Sequence, residues 1–159
     1  GDALSISLMR KKKFGKLDFK KFHPSGNLGN KLKTAGDLML IKNKIPLINE
    51  NQKMKSALKV INSKQLGFLV VVNNKGLTTG VFTDGDLKRL MQRKKKIDNI
   101  IIKSYMTKNP YKVEENSLAT DVLSLMNKKK ITNMCIYKKD NKRKTIGVLH
   151  IHHLLDNLG

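Results

Sequence analysis

The sequence predicts an α/β (α+β) protein in which two tandem repeats pack with pseudo-two-fold symmetry behind an N-terminal helix and loop. Three observations carry that prediction. The phrase Gly80-Val81-Phe82-Thr83-Asp84-Gly85-Asp86-Leu87 recurs in pattern 67 positions later as Gly147-Val148-Leu149-His150-Ile151-His152-His153-Leu154, and at the same offset Asp37-Leu38-Met39 answers Ser104-Tyr105-Met106. Each copy holds an apolar stripe at helical spacing, Met54, Ala57, Leu58 and Ile61 in the first and Leu118, Val122, Leu125 and Met126 in the second. Each stripe is followed by a short apolar run, Phe68-Leu69-Val70-Val71-Val72 or Met134-Cys135-Ile136-Tyr137, which reads as a buried strand.

In chain order, Asp2 is placed to cap a helix that buries Leu4 and Leu8 at i,i+4 spacing. That stretch reads as the last helix of a domain whose body lies upstream. Asn51 opens the helix of the first repeat and Asn116 or Ser117 that of the second, because short polar side chains accept from the free N–H groups of a first turn. A short strand precedes each helix, near 45–48 and 111–113. The polar turns Asn73-Asn74-Lys75-Gly76 and 138–144 lead into second strands over 78–82 and 145–149. These run into helices carrying Leu87, Leu90 and Met91, or Leu154, Leu155 and Leu158. A unit of about 55 to 60 residues buries too little surface to be comfortable alone, so the two copies should pack on each other. Lys94-Lys95-Lys96-Ile97-Asp98-Asn99 reads as a charged, exposed connector between them.

Composition narrows the class. The chain has 159 residues, and its 33 basic against 12 acidic residues give a net charge of +21. A polyanion partner is one explanation, since phosphate neutralisation drives nucleic-acid binding. Yet 29 of the bases are lysine and only 4 are arginine (Arg10, Arg89, Arg93 and Arg143), whereas sequence-specific readers favour the planar guanidinium fork. The chain also has 15 Asn and 13 Ile, so a drift toward AT-rich codons explains Lys, Asn and Ile together. The eight Tyr and Phe are scattered and make no stacking platform. The runs Lys11-Lys12-Lys13, Lys94-Lys95-Lys96 and Lys128-Lys129-Lys130 read as solvated faces. No run of about 18 apolar residues is present, which excludes a transmembrane helix. The single Cys135 excludes a disulfide framework and a CxxC metal cluster and suits a reducing cytoplasm.

The chemistry concentrates where the second strands turn into helices. At Thr83-Asp84-Gly85-Asp86, free backbone N–H groups and the helix dipole favour an anionic group. Asp86 is placed to accept both hydroxyls of a ribose, Thr83 adds a hydroxyl, and Gly85 permits close approach to the backbone. The plainer alternative is that Thr83 and Asp84 cap a helix over 85–93. The second copy departs from the pattern, with His150 for Thr and His153 for Asp. Strand alternation would put His150 and His152 on one side, as polar donors to an acidic ligand in a shared cleft or as surface residues. A metal site is not expected, since no Cys or carboxylate is adjacent and only Asp156 follows.

Repeats that begin with a motif ending in Met and close with a glycine-led strand running into Thr-x-x-Asp resemble a pair of CBS domains, or Bateman module. The stretch His23-Pro24-Ser25-Gly26-Asn27-Leu28-Gly29, after Gly1-Asp2-Ala3-Leu4, is similar to the exit of a sugar isomerase (SIS) domain in the D-arabinose 5-phosphate isomerases, where it leads into a CBS pair. Ser25 stands where that family has glycine.

The resemblance implies a division into an SIS tail (1–34), CBS domain 1 (35–96) and CBS domain 2 (97–159). It implies a regulatory and assembly module of an aldose–ketose isomerase acting in Kdo and lipopolysaccharide biosynthesis. Such a module binds a nucleotide (CMP-Kdo, CMP, AMP or ATP) at Thr83, Asp84, Gly85, Asp86, His150 and His152. The resemblance gives His23 a catalytic role, but only with the SIS domain, so this segment is expected to be inactive alone and to need no cofactor. Its partners are the nucleotide, further copies of itself and the isomerase domain, in the cytoplasm. Two alternatives remain: a ligand-free dimerisation module and a basic nucleic-acid-binding protein.

Overall fold

The computed structural model describes residues 32–158. Asp2, Leu4, Leu8 and His23 lie outside the described residues. Helix α1 (Ala35–Leu38) comes first, followed by β1 (Leu47–Asn49), α2 (Met54–Lys64), β2 (Phe68–Val72), β3 (Thr78–Thr83) and α3 (Asp84–Arg93). The second repeat follows as β4 (Thr107–Lys108), β5 (Lys112–Glu114), α4 (Ala119–Lys129), β6 (Asn133–Tyr137), β7 (Gly147–His150) and α5 (Ile151–Leu158). In each repeat a parallel pair (β1 with β2, β5 with β6) is continued by an antiparallel one (β2 with β3, β6 with β7). No helix among the described residues is long and apolar enough to cross a membrane.

The apolar runs are continuous because their strands are covered on both faces. Leu69 and Val71 of β2 point into a core with Met54, Ala57 and Ile61 of α2 and with Phe82 and Leu90. Phe68 and Val70, the alternate residues, join Cys135 and Val148 in a core between the repeats. Met134, Ile136 and Leu149 turn the other way, onto Val122, Met126, Leu154 and Leu158. Of the residues expected on the closing helices, Met91 is 60% and Leu155 48% exposed.

The repeats exchange their leading segments. Strand β4, which opens the second repeat, pairs with β3 of the first through Gly80↔Lys108 and Val81↔Thr107. Leu40, which leads into the first repeat, bridges Val148 of the second. Helix α1 likewise packs on α4, α5 and β7, with Ala35 and Leu38 inside the second core. Thr78 and Thr145, equivalent positions of the two copies, meet with their hydroxyls 2.6 Å apart and mark the pseudo-two-fold axis.

This exchange corrects the expected helix starts. The N-cap residues are Lys53 and Leu118, without side-chain caps, rather than Asn51, Asn116 or Ser117. Carbonyls of the docked segments take the first-turn N–H groups instead: Ile100 and Asp98 accept from Met54 and Lys55, and Lys33 accepts from Ala119. For the same reason the connector is not wholly exposed. Lys94, Lys95 and Lys96 are solvated, but Ile97 is buried against the first core. Leu118, assigned to an apolar stripe, is instead the half-exposed cap.

Candidate functional site

The end of β3 turns into α3 through a reciprocal capping box. Thr83 is extended (φ −110°, ψ 168°), and its hydroxyl accepts the Asp86 N–H at 3.1 Å. The Asp86 carboxylate accepts the Thr83 N–H at 3.0 Å in return. Thr and Asp three residues apart satisfy two donors that the first turn leaves free, and Asp84 and Asp86 both complement the positive end of the dipole. The helix therefore begins at Asp84, and Asp86 rather than Asp84 closes the cap. The Thr107 hydroxyl lies 3.1 and 3.2 Å from the two Asp86 oxygens, and Arg89 Nη2 lies 2.6 Å from Oδ1.

Beside this turn lies a cleft of about 380 Å³ that both repeats line. Phe68, Val81, Thr83, Gly85, Asp86 and Arg89 form one wall. Thr107, which pairs with Val81, lines the cleft together with Pro110 and Tyr111, and the segment Lys130-Ile131-Thr132-Asn133 with Cys135 supplies the rest of the lining. Tyr111 is half exposed, with Lys129 Nζ 5.6 Å from its ring centroid. Lys130 adopts a left-handed conformation (φ 58°) as the C-cap of α4, which turns the chain back toward β6. Asn133 Oδ1 is buried and has no hydrogen-bond partner among the described residues. Burial pushes the Cys135 thiol up to about 12, so it stays protonated at neutral pH and is no nucleophile. The cleft thus combines one oriented carboxylate, two cations, several hydroxyls and an apolar floor. It is equipped to hold a polar anionic molecule.

Thr83, Gly85 and Asp86 come together on this cleft, as the sequence suggests. Asp84 is exposed and donates its N–H to the Gly67 carbonyl; it does not line the cleft. Nor do His150 and His152, which lie at the corresponding junction of the second repeat. They are neighbours, but strand alternation is not the reason. The strand ends at His150, and His152 sits in the first turn of α5. Their rings stack with centroids 5.0 Å apart, and His150 Nδ1 accepts the His152 backbone N–H at 3.1 Å.

That hydrogen bond requires an unprotonated Nδ1. Burial first, and the neighbouring His152 second, hold His150 below the usual value of 6.5. Below that pH the unfolded chain takes up a proton that the folded chain resists. The stability His150 contributes is therefore present above about pH 6.5 and is lost as pH falls toward its depressed value. The urea midpoint should drop between pH 7.5 and 5.5, and His150→Asn, which keeps an acceptor, should flatten that drop. An unchanged slope in the variant refutes the assignment.

Sequence reading missed Arg89, Thr107, Tyr111, Lys130 and Asn133. Four of them belong to the second repeat: the pairing of β4 with β3 brings Thr107 to the Thr83 turn, and the core shared by the repeats brings the start of β6 beside β2. The signal was Thr107 itself, directly after the repeated Met106. Lys130, assigned to a solvated run, lines the cleft. Among the described residues no three His, Cys, Asp or Glu side chains gather to hold a metal.

Comparison with known proteins fits this arrangement. A family model, the CBS domain, matches residues 35–93 and 102–159. The chain belongs to the CBS domain family. This CBS pair is 35% identical over 156 residues to the arabinose 5-phosphate isomerase KdsD of Yersinia pestis, covering 98% of this chain and 47% of that protein. It is 33% identical, with the same coverage, to KdsD of Escherichia coli K12. The chain therefore spans about half the length of these relatives. Among solved structures, the CBS-domain protein ATU1752 of Agrobacterium tumefaciens superposes with a TM-score of 0.70 at 16% identity, over 85% of this chain and 97% of that one. CBSX2 in complex with AMP superposes with a TM-score of 0.66 at 22% identity, over 78% and 94%.

Proposed function

We propose that this CBS pair is the regulatory and assembly module of an arabinose 5-phosphate isomerase, and that its cleft takes a nucleotide. The observation that carries the reading is the cleft itself: a carboxylate fixed by a capping box at a helix start, with Arg89 and Lys130 beside it. Asp86 accepts the ribose hydroxyls, and the Thr83 hydroxyl with the Gly85 N–H receives the phosphate at the positive end of the helix dipole. Similarity to KdsD along almost the whole chain supports the isomerase context. The AMP in the CBSX2 complex supports an adenine nucleotide, and a role in Kdo supply makes CMP-Kdo or CMP the other candidates.

In this reading residues 1–34 belong to a sugar isomerase domain, in which His23 acts, and 35–96 and 97–159 are the two CBS domains. Regulation in the cytoplasm runs by linkage. The chain entering the first repeat is docked on the second, so a ligand that draws both walls of the cleft together biases whatever precedes residue 32.

Thermal unfolding against CMP, CMP-Kdo, AMP, ATP, arabinose 5-phosphate and inorganic phosphate tests the site. A ligand at about 100 times its Kd stabilises by about 2.7 kcal/mol, a shift of several degrees in a chain of this size. One nucleotide should stand out, and Asp86→Ala should abolish its shift. Gly85→Ala separates a binding turn from a mere cap. A Cβ there meets Arg89 at 3.5 Å and the Thr83 hydroxyl at 3.6 Å, both ordinary contacts, and replacing a helical glycine contributes about 0.5–1 kcal/mol. The variant should melt no lower than the parent and yet lose most of the nucleotide shift. Equal small shifts with every anion would assign the response to net charge and leave the module an assembly device.

A further inference from the structure

The Asp86 carboxylate is nearly saturated before any ligand arrives. Its Oδ2 accepts the Thr83 N–H, its Oδ1 accepts Arg89 Nη2, and the Thr107 hydroxyl lies within reach of both. Two carboxylate oxygens offer about four lone-pair sites, and three donors already draw on them. A ribose diol brings two more O–H donors, one more than the carboxylate has room for. One resident must leave. The Thr83 N–H is held in the capping box, and the pairing of β4 with Val81 holds the Thr107 backbone in place, so its short side chain stays beside Asp86. Arg89 is the donor free to move: its side chain is 68% exposed, against 12% for Asp86. Water reaches the guanidinium side of this pair and weakens it, so it is released once the guanidinium has another anion to hold.

We propose that Arg89 is the phosphate-selecting residue of the cleft: resting on Asp86 it withholds the carboxylate from a ribose, and a ligand phosphate that engages its guanidinium releases it. The inference rests on the reading that Asp86 receives ribose hydroxyls. The planar fork pairs bidentately with phosphate oxygens, and Arg89 already lines the cleft, so the exchange is a swing of one exposed side chain. The ligand class follows. A nucleoside 5′-phosphate opens the site for its own sugar. An unphosphorylated nucleoside must break the Arg89–Asp86 pair with nothing to offer in return.

Isothermal titration of the chain with AMP against adenosine, and CMP against cytidine, tests this in the parent, Arg89→Ala and Arg89→Lys. In the parent the nucleotide should bind at least about 30-fold more tightly than its nucleoside, in line with charge-assisted hydrogen bonds. In Arg89→Ala the nucleotide should weaken about 10-fold while the nucleoside holds or gains about 3-fold, so that the gap collapses. Arg89→Lys, which keeps the charge but not the fork, should fall between. A parent that binds nucleoside as well as nucleotide overturns the proposal, and so does an Arg89→Ala variant that weakens both equally; either result leaves the nucleotide site standing. If none of AMP, ATP, CMP and CMP-Kdo binds the parent at millimolar concentration, the site reading fails and the proposal with it.

Discussion

Gly80→Ala should cost the protein about 3 kcal/mol, the upper end of what overpacking a buried site costs. A Cβ at Gly80 would stand 2.6 Å from the Thr107 carbonyl oxygen and 2.8 Å from Met106 Sδ. The methionine can rotate away, but the carbonyl belongs to the β3–β4 pairing and cannot. The equivalent Gly147→Ala meets only the side chain of Met39, with Cγ at 2.7 Å, and should be the milder of the two. Urea unfolding of both variants checks the order. Because the clash at Gly80 falls on the strand that carries Thr107 to Asp86, that variant should also lose nucleotide affinity. A Gly80→Ala protein as stable as the parent would mean that the leading segments are not exchanged as described.

Phe82→Ala should cost about 3–5 kcal/mol, as expected for emptying a fully buried aromatic site. Phe82 is 0% exposed and packs with Met54, Ala57, Leu69 and Leu90 in the core of the first repeat. It directly precedes Thr83, so the cavity opens behind the capping box. Thermal unfolding should show a loss on the order of 10 °C, using about 2–4 °C per kcal/mol for chains of this size. Met91→Ala, at a residue of α3 that is 60% exposed, should change little. Comparable losses in the two variants would contradict the assigned core.

Much of this architecture is legible because its signals are local. The strand Phe68–Val72 is announced by an apolar run, the turn after it by Asn73 and Gly76, and the helix Met54–Lys64 by its stripe. Thr83 was legible as a cap for the same reason, but its partner is Asp86 at N3 and not Asp84. What stayed hidden depends on residues distant in sequence. Asn51 has the chemistry of a cap, yet the Ile100 carbonyl reaches the helix start first, and nothing near Asn51 encodes that. The second repeat's contribution to the cleft, from Thr107 to Asn133, was hidden likewise. Arg89 shows a third case. Its i,i+3 spacing from Asp86 suggests an ordinary helix-surface ion pair, and only the neighbouring Thr107 reveals that the carboxylate is oversubscribed.

The crossing of leading segments also bears on ancestry. A single copy of this unit could not fold by lending its opening segment to itself, since that segment completes the sheet and caps the helix of the other copy. Two separate copies could do so by trading those segments symmetrically, around an axis where the equivalents of Thr78 and Thr145 touch. The present chain has the form of such a domain-swapped homodimer, made permanent by fusing one subunit's tail to the other's head. In one chain the two junctions need not be alike: one carries Thr83 and Asp86 on an open cleft, while the other carries His150 and His152, which do not line it.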